Sequence, residues 1–270
     1  MNEHIRANRD HWNDLTDVHV ASSFYDLPGF LASWHEGNVS PPPGADELGS
    51  IRDLDVLHLQ CHFGMDTLRL QRLGARVTGV DLSDRAIDEA RRIARELNVA
   101  AAFHCSDVLA LDLDTQFDLV YTSLGVLCWL PDLRRWGQVI ARHLKPGARF
   151  FMLESHPFAH VFDDERADGL HPRYPYFDAA EPWRWEDQGS YADFNATVEH
   201  PLRFEWTHSV SDILTALIEA GLRLESFRES PIAAYRMLPC MVERRDGWAL
   251  PEDMKNMLPF TFLLQARKPA

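Results

Sequence analysis

Two aspartates, a loop bearing two histidines and a histidine before a proline stand where a chain of 270 residues could do chemistry. Asp81 ends the apolar run Ala75 to Val80, and Asp107 follows a shorter extended run, Ala101 to His104. Each carboxylate falls just past the carboxyl end of an extended segment, where open α/β sheets hold their ligands. The loop His58 to Gly64, HLQCHFG, lies between the apolar residues Val56, Leu57 and Leu59 and a helix beginning near Met65. Its amides and the helix N-terminus would face a bound ligand. His156 follows another strand-like run, Arg149 to Leu153, and is the first candidate for a general base, with His208 and Tyr25 next. A histidine before proline can equally bond backbone at a strand end, and His208 can equally belong to a helix start.

These residues need a scaffold, and the stretch Asp55 to Asp81 supplies its first unit. Met65, Leu68 and Leu73 give the intervening helix an apolar side, Asp66 suits its positive end, and Gly74 ends it. The result is a βαβ unit. Ser83 caps a second helix through Leu97, a strand runs from Ala101 to His104, and another from Phe117 to Thr122. Pro131 and Asp132 open a helix that ends at Lys145 to Gly147, before the Arg149 to Leu153 strand. Alternation over residues 51 to 157 predicts a parallel sheet with helices on both faces. Ser209 to Asp212 forms a capping box, Gly221 closes that helix, and strands at Leu222 to Phe227 and Phe260 to Arg267 complete the pattern.

Two regions depart from the alternation. Residues 1 to 50 look like a helical cap and linker, either packed on the domain's flank or lying over the ligand as a lid. Residues 155 to 208 look like an aromatic-rich insertion, with Leu202, Phe204 and Trp206 alternating as a half-buried strand at the sheet's top edge. The whole of 1 to 270 is taken as a single domain.

Composition narrows the partners. A net charge of −14, from 41 acids against 27 bases, repels a polyphosphate, so no nucleic acid is expected. No apolar run is long enough to span a bilayer, and MNEHIRANRDHWND lacks the apolar segment of a secretory signal, so a cytoplasmic protein without membrane association is expected. Cys61, Cys105, Cys128 and Cys240 are scattered and are read as reduced thiols. His156 and His160 lie near Asp163, Asp164 and Glu165, but Pro157 disturbs their helical spacing and no third ligand is fixed, so no metal is expected. Oligomeric state is not readable.

On these residues the sequence resembles the class I S-adenosylmethionine-dependent methyltransferases. HLQCHFG stands at the family's glycine-rich loop, Asp81 at the acid that holds the ribose hydroxyls, Asp107 at the acid facing the adenine amine, and LKPG, Leu144 to Gly147, at a common turn. GVDLS and a WLPDL helix start are similar to a bacterial subgroup with the LQCHFG loop. The resemblance implies a doubly wound, Rossmann-like seven-stranded sheet with the last strand antiparallel. It also implies S-adenosylmethionine as cofactor, held by Tyr25, Gln60, Cys61, His62, Gly64, Asp81, Leu82, Asp107, Val108, Ser123 and Leu124.

The loop departs from the family at three positions, with His58 for an acid and Gln60 and His62 for glycines. Bulky residues at glycine positions imply a reshaped loop. Either Gln60 and His62 contact the methionine end or line the substrate side, or the fold is a scaffold that has lost the cofactor and serves as a non-catalytic ligand-binding or interaction protein. An NAD-dependent oxidoreductase is less favoured, since a pyrophosphate needs a G-x-G-x-x-G run and only Gly64 remains. The expected reaction is methyl transfer to a small-molecule acceptor, through an O- or N-nucleophile. Aromatic residues of the insertion would suit an aromatic or amine-bearing molecule.

Overall fold

A computed structural model describes residues 1–177 and 181–270. Eleven strands and seven helices occur among the described residues. The helices are α1 (Glu3–Ala21), α2 (Leu27–Glu36), α3 (Ala45–Leu48), α4 (Met65–Arg72), α5 (Asp84–Glu96), α6 (Leu133–His143) and α7 (Val210–Glu219). The strands are β1 (Asp55–Leu59), β2 (Arg76–Asp81), β3 (Ala101–Cys105), β4 (Phe117–Thr122), β5 (Leu144–Ser155), β6 (Trp183–Glu186), β7 (Leu202–Glu205), β8 (Arg223–Ser230), β9 (Val242–Arg244), β10 (Gly247–Ala249) and β11 (Thr261–Arg267).

Seven strands form one sheet in the order β3-β2-β1-β4-β5-β11-β8. The first five are parallel, and β11 runs antiparallel to β5 and β8. This is the expected Rossmann-like sheet with its last strand reversed. The strand order turns around between β1 and β4, which places the ligand crevice at their carboxyl ends. Helices α6 and α7 cover one face, where Trp136, Val139, Ile140, Ile213 and Leu217 pack on Leu57, Val120 and Phe150. Helices α4 and α5 lie on the other face, with Leu68, Ile87, Ala90 and Ile93 packed against Phe103.

Local chemistry sets the helix starts. Ser83 accepts from the Ala86 amide, Asp132 from Arg135, and Ser209 with Asp212 forms a reciprocal capping box. Two strand boundaries, one side chain's burial and one strand's pairing differ from the sequence reading. Strand β5 begins at Leu144, because the chain is already extended through the LKPG turn, with Gly147 at φ 78°. Strand β8 continues to Ser230, paired with Thr261 at the start of β11. Leu73, expected on the apolar side of α4, is 37% exposed at the helix end. Strand β7 pairs with β6 in a separate hairpin instead of joining the sheet's top edge.

The N-terminal region is longer and more helical than a short cap and linker. Helix α2 packs on the flank, where Phe30 and Trp34 receive the guanidiniums of Arg69 and Arg72. Helix α1 instead reaches the strand ends, and its inward face is polar. Asn8, His11, Asp14, Thr16 and His19 are all buried on it. Asn8 donates to the Phe204 carbonyl at 2.8 Å and accepts from its amide at 2.7 Å, so an amide side chain takes the place of a strand partner for β7. Asp14 accepts from the His200 amide at 2.6 Å, and His11 bonds the His200 carbonyl at 2.8 Å. Buried polar groups on a helix must be paired in this way to dock without a penalty.

Candidate active site

The crevice is built on the carboxyl ends of β1, β2, β3 and β4. Its loop after β1 runs through Gln60 and His62, and both hold a left-handed backbone, at φ 55° and 50°. The chain therefore follows a glycine-like path at these two positions while carrying full side chains, rather than being reshaped to avoid that conformation. Such a backbone costs about 1 kcal/mol or more per non-glycine residue, so local contacts must hold it. They are present. The His62 amide donates to Asp81 Oδ2 at 2.7 Å, and the Gln60 amide nitrogen Nε2 donates to the Val126 carbonyl at 2.9 Å. Gly64, at φ 80°, leaves no room for a side chain, since a Cβ would lie 2.8 Å from the Phe103 ring and 2.9 Å from Ala90.

Asp81 is clasped by backbone. Oδ2 accepts from His62 and Oδ1 from the Ser83 amide at 2.9 Å, with Leu82 between them in the chain. Burial pushes its carboxyl pKa up while these amides pull it down. Asp107 caps a short 3-10 turn, Val108–Ala110, by accepting from the Leu109 amide at 2.9 Å, and Val108 is buried behind it. Cys61 is buried, its Sγ within 3.5 Å of the His62 carbonyl, and burial raises its thiol pKa. His58 bonds Thr67 Oγ1 at 2.8 Å through Nδ1, and burial lowers its pKa to about 4, so a neutral ring stands where the family has an acid.

The loop after β4, from Ser123 and Leu124 to Trp129, is gripped by a residue that sequence reasoning did not single out. Glu154, 3% exposed near the end of β5, accepts from the amides of Gly125, Val126 (2.9 Å), Leu127 (3.3 Å) and Ser155 (2.6 Å). Burial raises its pKa against the pull of those four donors. An acid at the end of an otherwise apolar strand was the available signal.

Over the crevice lies a shell of rings drawn from three segments. Trp12 of α1 meets His62 at 5.3 Å and Trp129 at 5.1 Å, both edge to face. Tyr25 stacks near His19 at 5.1 Å and meets Phe63 at 4.9 Å, and its hydroxyl lies 2.5 Å from that of Tyr191 in the insertion. Tyr191 in turn stacks on Tyr235 at 5.9 Å. His19, also unanticipated, ties these segments together. Its Nδ1 lies 2.8 Å from His62 Nε2 and its Nε2 lies 2.7 Å from Ser190 Oγ. The four-residue spacing of His11, Leu15 and His19 was readable as a helical face, but its polarity hid it.

Burial holds this pair of imidazoles neutral. The His19 pKa is lowered to about 3 by desolvation and then by the charge of His11, and that of His62 is lowered well below 6.5 by desolvation and then by His19. Below pH 6.5 the unfolded chain binds protons that these rings refuse until far lower pH. Their contribution is therefore complete above about 6.5 and is lost as pH falls toward about 3, by up to about 1.4 kcal/mol per pH unit for each ring. Urea unfolding of wild type between pH 7.5 and 5 is expected to lose stability more steeply than His19→Gln. Parallel pH profiles would contradict that assignment.

Two other candidate bases are engaged elsewhere. His156, 3% exposed, accepts from the Phe158 amide at Nδ1 (3.1 Å), so its Nε2 carries the proton and donates to Glu229 at 2.9 Å. His208 Nε2 donates to the Leu130 carbonyl at 2.7 Å. Tyr25 is the one sequence candidate for catalysis that stands in the ring shell.

Residues 56–147 match the family model described as a methyltransferase domain. This segment is a methyltransferase domain. Relatives include a ubiquinone biosynthesis O-methyltransferase of Coxiella burnetii (strain Dugway 5J108-111), 28% identical over 170 residues, 58% of this chain and 72% of the relative. A protein of the same name from Alkalilimnicola ehrlichii is 34% identical over 148 residues, 53% of this chain and 60% of the relative. The same fold occurs in an S-adenosylmethionine-dependent methyltransferase from Mesorhizobium loti, with TM-score 0.59 and 22% identity, covering 83% of this chain and 94% of that one. It occurs too in the magnesium protoporphyrin IX methyltransferase of Synechocystis PCC 6803 with bound SAH, with TM-score 0.56 and 16% identity, covering 98% and 100%.

The methyltransferase site has the chemistry such a cofactor needs. Carboxylates stand at the ends of β2 and β3, and buried polar atoms at the ends of β1 and β4, His58 Nε2, Gln60 Oε1, Thr122 Oγ1 and Ser123 Oγ, have no hydrogen-bond partner among the described residues. Unpartnered buried polar atoms are costly, and they fit a site shaped for a polar ligand. Among the described residues no group of three histidine, cysteine or carboxylate side chains converges as a metal site, and no helix is long and apolar enough to cross a membrane.

Proposed function

We propose that this methyltransferase transfers the methyl group to a hydroxyl of a small, uncharged aromatic acceptor. The observation that carries this reading is the ring shell of Trp12, Tyr25, His62, Trp129, Tyr191 and Tyr235, which carries no formal charge at neutral pH. Burial keeps its imidazoles neutral, raises the Tyr25 hydroxyl well above 10 and lifts that of Tyr191 to about 12. The cation-π contacts among the described residues lie elsewhere, at Phe30, Trp34, Tyr174, Trp185 and Trp248. Rings of this kind hold a flat molecule by stacking, and a carboxylate would find no cation there. The names of the O-methyltransferase relatives support the same acceptor atom.

In this reading Asp81 and Asp107 hold the nucleoside at the ends of β2 and β3, with Val108 at the adenine and the segment Ser123 to Leu124 beside the reacting end. The cofactor supplies a methyl group already activated on a sulfonium. The protein's own task is then to align the acceptor oxygen and exclude water. In the Tyr25–Tyr191 pair one hydroxyl donates to the other, and the remaining O–H orients the acceptor oxygen by donating to it, the acceptor's own proton passing to solvent so that its oxygen attacks as the phenolate. His156 and His208 act as tethers of the strand ends rather than as bases.

A panel of catechols, aryl amines and aryl carboxylates assayed with S-adenosylmethionine tests this reading. Methylation of the catechols, with turnover rising as the acceptor hydroxyl ionises, is expected. Methylation confined to amines or carboxylates would overturn it.

A further inference from the structure

We infer that the side-chain carbonyl of Gln60 is the acceptor for the α-ammonium at the amino-acid end of the cofactor. The inference deepens the reading above and rests on it. Gln60 stands where the loop leaves β1, in a left-handed backbone that favours glycine, so its side chain is present at the expense of strain. Its amide is held in one orientation. Nε2 donates to the Val126 carbonyl at 2.9 Å, and turning the amide over would set oxygen against oxygen. Val126 cannot yield, because Glu154 holds its amide and those of Gly125 and Leu127.

What remains is Gln60 Oε1, buried and without a donor among the described residues. A buried amide oxygen in that state calls for a ligand that donates. The ribose hydroxyls and the adenine amine face the carboxylates of Asp81 and Asp107, at the ends of other strands. The α-ammonium, with its three N–H groups, is the cofactor's other strong donor. Asp66, at the start of α4 and near His58, is taken by the Arg69 guanidinium at 2.6 Å. His58 replaces the acid at β1 by a neutral ring, and both oxygens of Glu154 are engaged by backbone amides. Gln60 is thus placed to do with a side chain what glycine at the same position could not.

Two ligands that share a nucleoside separate this role from loop shape. S-adenosylhomocysteine carries the amino-acid end, and 5′-methylthioadenosine lacks it. Calorimetry on the full chain should show Gln60→Gly weakening S-adenosylhomocysteine by about 10- to 100-fold, with 5′-methylthioadenosine held within about twofold. Glycine suits the left-handed backbone, so the variant should fold. Gln60→Asn, which tolerates the same backbone but is one methylene shorter, should lose as much. Equal losses for both ligands, or no loss for either, would overturn the inference while leaving the methyltransferase reading intact. Failure of both ligands to bind wild type would overturn both.

Discussion

Asp81→Ala is expected to lower affinity for S-adenosylmethionine at least tenfold in calorimetry. A charge-assisted bond to a ligand contributes about 1.5 to 3 kcal/mol, and two ribose hydroxyls would share this carboxylate. The substitution also removes the acceptor of the His62 amide, 2.7 Å away, which helps fix a left-handed residue in the ligand loop. Loop and ligand effects therefore reinforce one another. Affinity within about twofold of wild type would remove Asp81 from the site.

Glu154→Gln should have the largest effect on the protein itself. The glutamate gathers four backbone amides with two oxygens, and an amide side chain offers one oxygen and turns its NH2 toward donors it cannot accept from. Leaving buried donors unpaired costs about 1 to 3 kcal/mol each, so a loss of about 2 to 5 kcal/mol is expected. For a chain of this length that lowers the melting temperature by about 5 to 15 °C. The same loop carries Trp129 and the Val126 carbonyl that orients Gln60, so cofactor affinity should fall as well. A melting temperature within about 2 °C of wild type would show the grip to be dispensable.

The central sheet was legible because its strands are buried on both faces and its helices start with local signals. Val56 to Leu59 shows a near-continuous burial pattern, and Ser83, Asp132 and Ser209 cap helices with their own side chains. The acids Asp81 and Asp107 were legible for the same reason, since a strand end is fixed once the strand is. Helix α1 was not. Hydrophobic periodicity finds a helix that docks by apolar burial, and this one docks by hydrogen bonds through Asn8, His11, Asp14 and His19. Partners up to 196 residues away in sequence complete those bonds, and no local pattern announces them.

The loop Gln60 to Gly64 marks the boundary between what pattern and what geometry could tell. The residue types declared a departure from glycine, and a reshaped backbone was the natural expectation. Instead the backbone keeps left-handed values and the added side chains are used, Gln60 against Val126 and His62 against His19. Those contacts join the sheet, the cap and the insertion over a single crevice.

Calorimetric titration of the wild-type chain with S-adenosylhomocysteine, run beside NAD, tests that crevice most directly. A single saturable site for S-adenosylhomocysteine, with no heat from NAD, is the predicted result. Silence toward S-adenosylhomocysteine, or saturation by NAD alone, would contradict the account.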